Sequence, residues 1–227
     1  MSASRREFLE RMAGSAVMFG AAPLTIDRTL RALGEPRAAA EAKDFDLTWV
    51  NRVTGKHKAV FDVPEVDSGY GVWRASIYKT QYHTVMGVPL TELSSVVVLR
   101  HNGTALAMQQ SFWDAYEVGK AKKVTHPVTE KPTDRNPALL SSERSEVPAA
   151  MDQFALDKFM AAGGIVLACN LAFGDCVQLI VKKDGVTADV ARKKALALLV
   201  PGVILQPSGV FAAIRAQEAG CVYLRAS

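Results

Sequence analysis

The sequence predicts an α/β fold, a single three-layer domain with a mostly parallel five-stranded sheet. Three observations carry this. Five short apolar runs rich in branched residues recur along the chain, segments with helical character separate them, and glycine, proline or capping residues mark most junctions. Strands that alternate with helices are joined by crossovers, and crossovers impose parallel pairing with helices on both faces.

The first strand is read at His57 to Val63, stopped by Pro64. A glycine-bearing loop over 67–71 follows, then a helix from Val72 to about Met86, where Trp73, Ile77, Tyr82 and Val85 recur near helical spacing. Ser94 to Leu99 is a continuous apolar strand of the kind buried on both faces. It ends in Arg100, His101, Asn102 and Gly103, and a helix is expected from Thr104 to Glu117, with Phe112, Trp113 and Tyr116 in the core or a subunit interface. A helix over Asp152 to Ala162 is closed by Gly163 and Gly164. Ile165 to Ala168 is the third strand, closed by Cys169 and Asn170, and the apolar stretch to Val181 reads as strand, turn and helix start. Thr187 caps a helix to Leu199 that Pro201 and Gly202 stop. Val203 to Leu205 is the fourth strand, and Pro207, Ser208 and Gly209 turn into a helix from Val210 to Ala219. Gly220 ends that helix, and Cys221 to Leu224 is the last strand, with Cys221 structural.

One stretch departs from the plan. Residues 120–148 are polar, with prolines at 127, 132, 137 and 148, and lack periodicity. So long a connection reads as an insertion: a lid, an oligomer arm, a disordered segment or a mobile surface loop.

Composition excludes several classes. Of 227 residues, 49% are hydrophobic and 22% charged, which rules out wholesale disorder. Three cysteines cannot staple a chain of this size, so its core must stabilise it. The net charge of +4 is spread among interspersed charges, with no basic stripe, so nucleic acid is not an expected partner. No G-x-G-x-x-G or G-x-x-x-x-G-K-[ST] follows a strand, and no G-x-S-x-G elbow is present. No cofactor or metal is implied.

The first 42 residues read as an address, and 43–227 as the α/β domain. Arg5 and Arg6 precede an uncharged, Ala- and Gly-rich stretch from Met12 to Leu24, the pattern of a bacterial twin-arginine export signal. Thirteen helical residues rise about 20 Å, short of the roughly 30 Å hydrocarbon core, so the stretch is no durable span. Small residues over 38–42 offer a cleavage site near Ala42. The expected location is the periplasm, reached through the twin-arginine translocase, or the inner membrane if the signal stays uncleaved.

Ligands of open α/β sheets bind beyond the carboxyl ends of the strands, where helix N-termini point. Four such ends are expected here: 67–70, His101 to Thr104, Cys169 with Asn170, and 207–209. Cys169 is the sharpest candidate, because a thiol ahead of a helix feels the positive end of its dipole, which favours the thiolate. His101 is the group expected to activate it. Asn102, Gly103, Asn170, Ser208 and Gly209 are candidates for substrate contacts. The alternatives are a small buried Cys169 and a structurally bonded His101. Cys176 follows Cys169 by seven positions, a poor metal spacing, and either pairs with it or faces the core.

The block from Ile165 through Cys169, Asn170, Pro201, Ser208, Gly209 and Gln217 to Leu224 resembles the DsrE/DsrF-like family. The turn at His101, Asn102 and Gly103 resembles that family's histidine-glycine turn. The likeness covers roughly 57–225, interrupted by 120–148. It implies a DsrE-like α/β domain assembling into homo- or hetero-oligomers, commonly trimers and hexamers. It also implies sulfur metabolism, with persulfide sulfur carried on the cysteine that Cys169 matches. The functions expected are thus an exported sulfur carrier or sulfurtransferase-like protein taking small sulfur species, or a non-catalytic periplasmic binding or assembly module engaging a protein partner.

Overall fold

The computed structural model describes residues 45–227, so the export signal and its cleavage site lie outside the described residues. The five strands are β1 (His57–Val63), β2 (Leu93–Leu99), β3 (Ile165–Cys169), β4 (Ile204–Gln206) and β5 (Val222–Arg225). They form one sheet in the order β4-β3-β2-β1-β5, and every pairing is parallel. The α/β expectation is met, and the sheet is wholly parallel.

The helices are α1 (Tyr70–Met86), α2 (Gln110–Ala115), α3 (Val118–Ala121), α4 (Leu156–Ala161), α5 (Asn170–Asp184), α6 (Ala188–Ala197) and α7 (Gly209–Glu218). Strand alternation divides the core in two. Phe61, Val63, Val97, Leu99, Val166 and Ala168 pack with Val72 and Ala75 of α1 and Phe173, Val177 and Ile180 of α5. On the other face Val60, Val96, Val98, Ile165 and Leu167 meet Ala212 and Ala216 of α7 and Trp49 of a 3-10 turn at Thr48–Arg52. The two alanines let α7 lie close on the sheet.

Thr187 caps its helix as expected, and Ser208, expected only in a turn and as a substrate contact, is a cap as well. The hydroxyl of Thr187 accepts from the Val190 N–H, and that of Ser208 from the Phe211 N–H. Two expected helices are broken instead. Over 104–117 the chain makes a 3-10 turn (His101–Ala107), then α2, with α3 beyond it. Between the turn and α2, Met108 bridges Leu199, Val200 N donates to Ala107 O, and Gln109 N donates to Leu198 O. Backbone pairing to another segment wins there, and it buries Leu106, Met108, Phe112 and Trp113 completely. Over 152–162 the Asp152 carboxylate accepts from the Ser142 N–H and hydroxyl. A 3-10 turn (Ala149–Phe154) therefore precedes α4.

Residues 120–148 are no detached arm, which corrects the expectation of a surface insertion. Val124 and Ala138 belong to the main core, and Leu140 and Val147 are buried. Asn136, 0% exposed, donates through Nδ2 to Leu106 O and Met108 O and accepts through Oδ1 from Ala138 N. Polar composition concealed a segment ordered by backbone-directed hydrogen bonds and a few well-placed apolar residues.

Candidate functional site

The carboxyl ends of β1 and β2 are drawn together by a glycine. A Cβ on Gly103 would lie 2.2 Å from Val63 O, and Gly103 N donates to Pro64 O at 2.9 Å, so no larger residue fits. His101, two residues before it, has φ +50°, a left-handed conformation that costs a non-glycine residue energy. In that geometry His101 Nδ1 lies 3.2 Å from Glu65 Oε1, and Asn102 Nδ2 donates to Glu65 Oε2 at 2.8 Å. An ionised Glu65 only accepts, so His101 carries its proton on Nδ1 and leaves Nε2 for another partner. Lys122 Nζ donates to Asn102 Oδ1 at 2.8 Å, which fixes the amide's orientation. The Asn102 amide, followed by His101, holds the Glu65 carboxyl below its ordinary pKa.

Behind this chain of polar groups lies a cavity of about 240 Å³. Its lining includes the polar His101, Asn102, Lys122, Asp175 and Cys176 and the apolar Phe112 and Leu179. Cys176 sits on α5 and is buried; burial pushes its thiol up to about 12, against the pull of Lys122. Such a thiol is neutral near pH 7.

The expected site residues separate into three places. His101 and Asn102 line the cavity, and Gly103 is the packing residue beneath them. Cys169 is buried at the end of β3, where its Sγ caps α5 by accepting from Ala172 N at 3.4 Å. Beside it Asn170 Oδ1 accepts from Arg192 at 2.7 Å. Ser208 caps α7 on the opposite face, and a Cβ on Gly209 would lie 2.4 Å from the Arg100 Cβ.

The sheet itself causes this division. Helix α5 leaves β3 towards one face and α7 leaves β4 towards the other, so the switch point of the fold lies between these two strands. That crevice is filled by the chain. Gln206, paired in register with Cys169, accepts from Trp49 Nε1 at 3.0 Å and donates to Asp46 O at 2.7 Å. Among the described residues all three cysteines are free thiols, and no group of three His, Cys, Asp or Glu is set to hold a metal ion.

Sequence reasoning missed Glu65, Lys122 and Asp175. Cys176, expected either to pair with Cys169 or to face the core, is a free thiol packed in the core where it also lines the cavity. Lys122 was hidden by the misread segment. A larger hollow of about 330 Å³ includes Arg135, Arg144 and Asp152 in its lining, but these charges already have partners. Arg135 and Arg144 both pair with Glu146, and Asp152 is bonded to Ser142.

No family model, curated protein or solved structure matches this chain.

Proposed function

We propose that the chain is a non-catalytic binding module, exported to the periplasm, that holds a small molecule in the His101–Asn102–Lys122 cavity. The observation carrying this reading is the cavity's make-up: apolar side chains such as Phe112 and Leu179 in one lining with a cation, an amide, an imidazole with its Nε2 unengaged, and one carboxylate, Asp175. That chemistry fits a compact ligand with an apolar body and one anionic group. Benzoate is expected to bind, to perturb the His101 ring resonances and to compete poorly with water once Lys122→Met removes the cation. Cyclohexanol, lacking the charge, is expected to bind no more weakly to the variant than to the parent. Equal benzoate affinity in parent and variant would refute the assignment.

A second reading takes Cys169 as an acceptor of sulfane sulfur, with His101 assisting, in a DsrE-like homo-oligomer such as a trimer or hexamer. It is favoured by the hydrogen bond from Ala172 N to Cys169 Sγ, a contact with a helix N-terminal amide that a thiolate would strengthen. Burial and the distribution of the remaining site residues count against it. Iodoacetamide at pH 7 is expected to label none of the three cysteines quickly. Cys176 is raised to about 12 and Cys221 to about 11, both by burial, so their reactivity should climb only as the pH rises. Rapid labelling of Cys169 alone, with a sulfane-sulfur mass increment lost in Cys169→Ser, would establish this second reading instead.

A further inference from the structure

The two edges of the sheet are finished differently. At the β4 edge Gln206 is fully buried and tied to Asp46 and Trp49. At the β5 edge Val222, Tyr223 and Leu224 are 73%, 44% and 49% exposed. Parallel register alternates the side chains: Val222 and Leu224 lie on the α1 face with Ala59 and Phe61, Tyr223 and Arg225 on the α7 face with Val60 and Asp62. Helix α1 extends the first of these surfaces. Tyr78, Tyr82 and Val85 share one stripe, the Tyr78 ring packs tilted against Phe61 and the Tyr82 ring edge-on against His57, and Val85 is 80% exposed.

The backbone decides what can pair. Ala226 N donates to Asp62 O, and a parallel ladder uses both polar groups of every second residue. Val222 and Leu224 therefore bond inward to β1, and the N–H and C=O of Tyr223 and Arg225 point away from the sheet. Cys221 N is occupied by Ala216 O, which leaves its carbonyl as an acceptor.

We propose that two copies of this chain pair antiparallel through β5 about a two-fold axis centred on Tyr223, joining their sheets into one of ten strands. This inference is independent of any ligand in the cavity. Centred there, the two Tyr223 residues exchange both their hydrogen bonds, and each Arg225 N donates to the Cys221 carbonyl of the other copy. Every outward group in the segment finds a partner except the Arg225 carbonyl. Val222 faces Leu224 of the second copy as a close pair on the α1 face. Arg225, on the α7 face, is brought to the α7 C-terminus of the second copy, where Arg215 already pairs with Glu218 and Lys58 donates to Ala219 O, so the pairing rests on the backbone and on the apolar α1 face rather than on charge. A four-residue strand alone cannot supply the roughly 800 Å² per partner of a standard interface, and the stripe from Tyr82 to Val85 provides adjoining apolar area. An open, apolar, proline-free edge is the surface a folded chain leaves when another strand covers it.

Sedimentation equilibrium of the full chain tests this. The parent is expected to run as an even-numbered assembly at micromolar concentration. Val222→Glu should weaken it about tenfold or more, because a carboxylate then faces an apolar side chain. Val210→Glu, on the exposed outer side of α7, should leave the mass unchanged. Hydrogen exchange keeps the proposal falsifiable if Val222→Glu fails to fold: the Tyr223 and Arg225 amides of the parent should be protected at high concentration and exchange freely on dilution. A monomeric or strictly trimeric parent, a Val222→Glu mass like the parent's, or exchange of those amides independent of concentration would each overturn it.

Discussion

Asn136→Ala is expected to lower the unfolding free energy by about 3 kcal/mol, in a position that the sequence presents as part of a polar connection. Its side chain satisfies two buried carbonyls, those of Leu106 and Met108, and the Ala138 N–H. Each group left bare in the interior costs about 1–3 kcal/mol, offset where the vacated space admits water. The backbone is tied as well, since Asn136 N donates to Gln110 Oε1 at 2.7 Å. Urea unfolding followed by fluorescence measures the loss, with fully buried Trp113 as the reporter in this part of the core. Deleting 124–145 should go further and abolish the cooperative transition, because Val124 and Ala138 leave the main core with it. A deletion protein that unfolds cooperatively, or an alanine variant within 0.5 kcal/mol of the parent, would show that the segment is a dispensable insertion after all.

That segment also marks where the sequence stopped being readable. The strands were legible because a parallel sheet buried on both faces demands unbroken apolar runs such as Val96 to Leu99. The cap at Thr187 was legible because its signal is local, whereas Ser208, expected as a substrate contact, is a cap instead. The break inside 104–117 was not, since the Met108–Leu199 bridge joins residues far apart in sequence. For the cavity, the rule that ligands gather at strand ends reached His101 and Asn102. It could not reach Lys122, whose position depends on how 120–148 is packed, or separate the Cys169 end from the Ser208 end. That separation depends on which face each crossover takes, which no local pattern encodes.

Arg100→Met is expected to cost about 3–5 kcal/mol, the usual consequence of leaving a buried charge without its partner. Asp62 lies within β1, 1% exposed, and Arg100 grips it with two bonds, Nε to Oδ1 at 2.7 Å and a terminal nitrogen to Oδ2 at 2.8 Å. Tyr223 adds a third from its hydroxyl at 2.6 Å, so one carboxylate ties together β1, the end of β2 and the edge strand β5. The Asp62 hydrogen bond, ahead of the opposing effect of burial, raises the Arg100 guanidinium further, so the arginine stays charged at any pH at which the protein is folded. Removing it strands a carboxylate with the Tyr223 hydroxyl alone and loosens the start of α7, since the Arg100 stem packs against Gly209. Arg100→Met combined with Asp62→Leu should recover part of the loss, because an apolar pair removes the unpaired charge instead of exposing it. Tyr223→Phe should cost about 1–2 kcal/mol, one hydrogen bond to a charged group. Chemical denaturation of the four proteins separates these terms. If Arg100→Met costs under 1 kcal/mol, or the double variant is no better than the single, water reaches Asp62 and the carboxylate does not hold the three strands together.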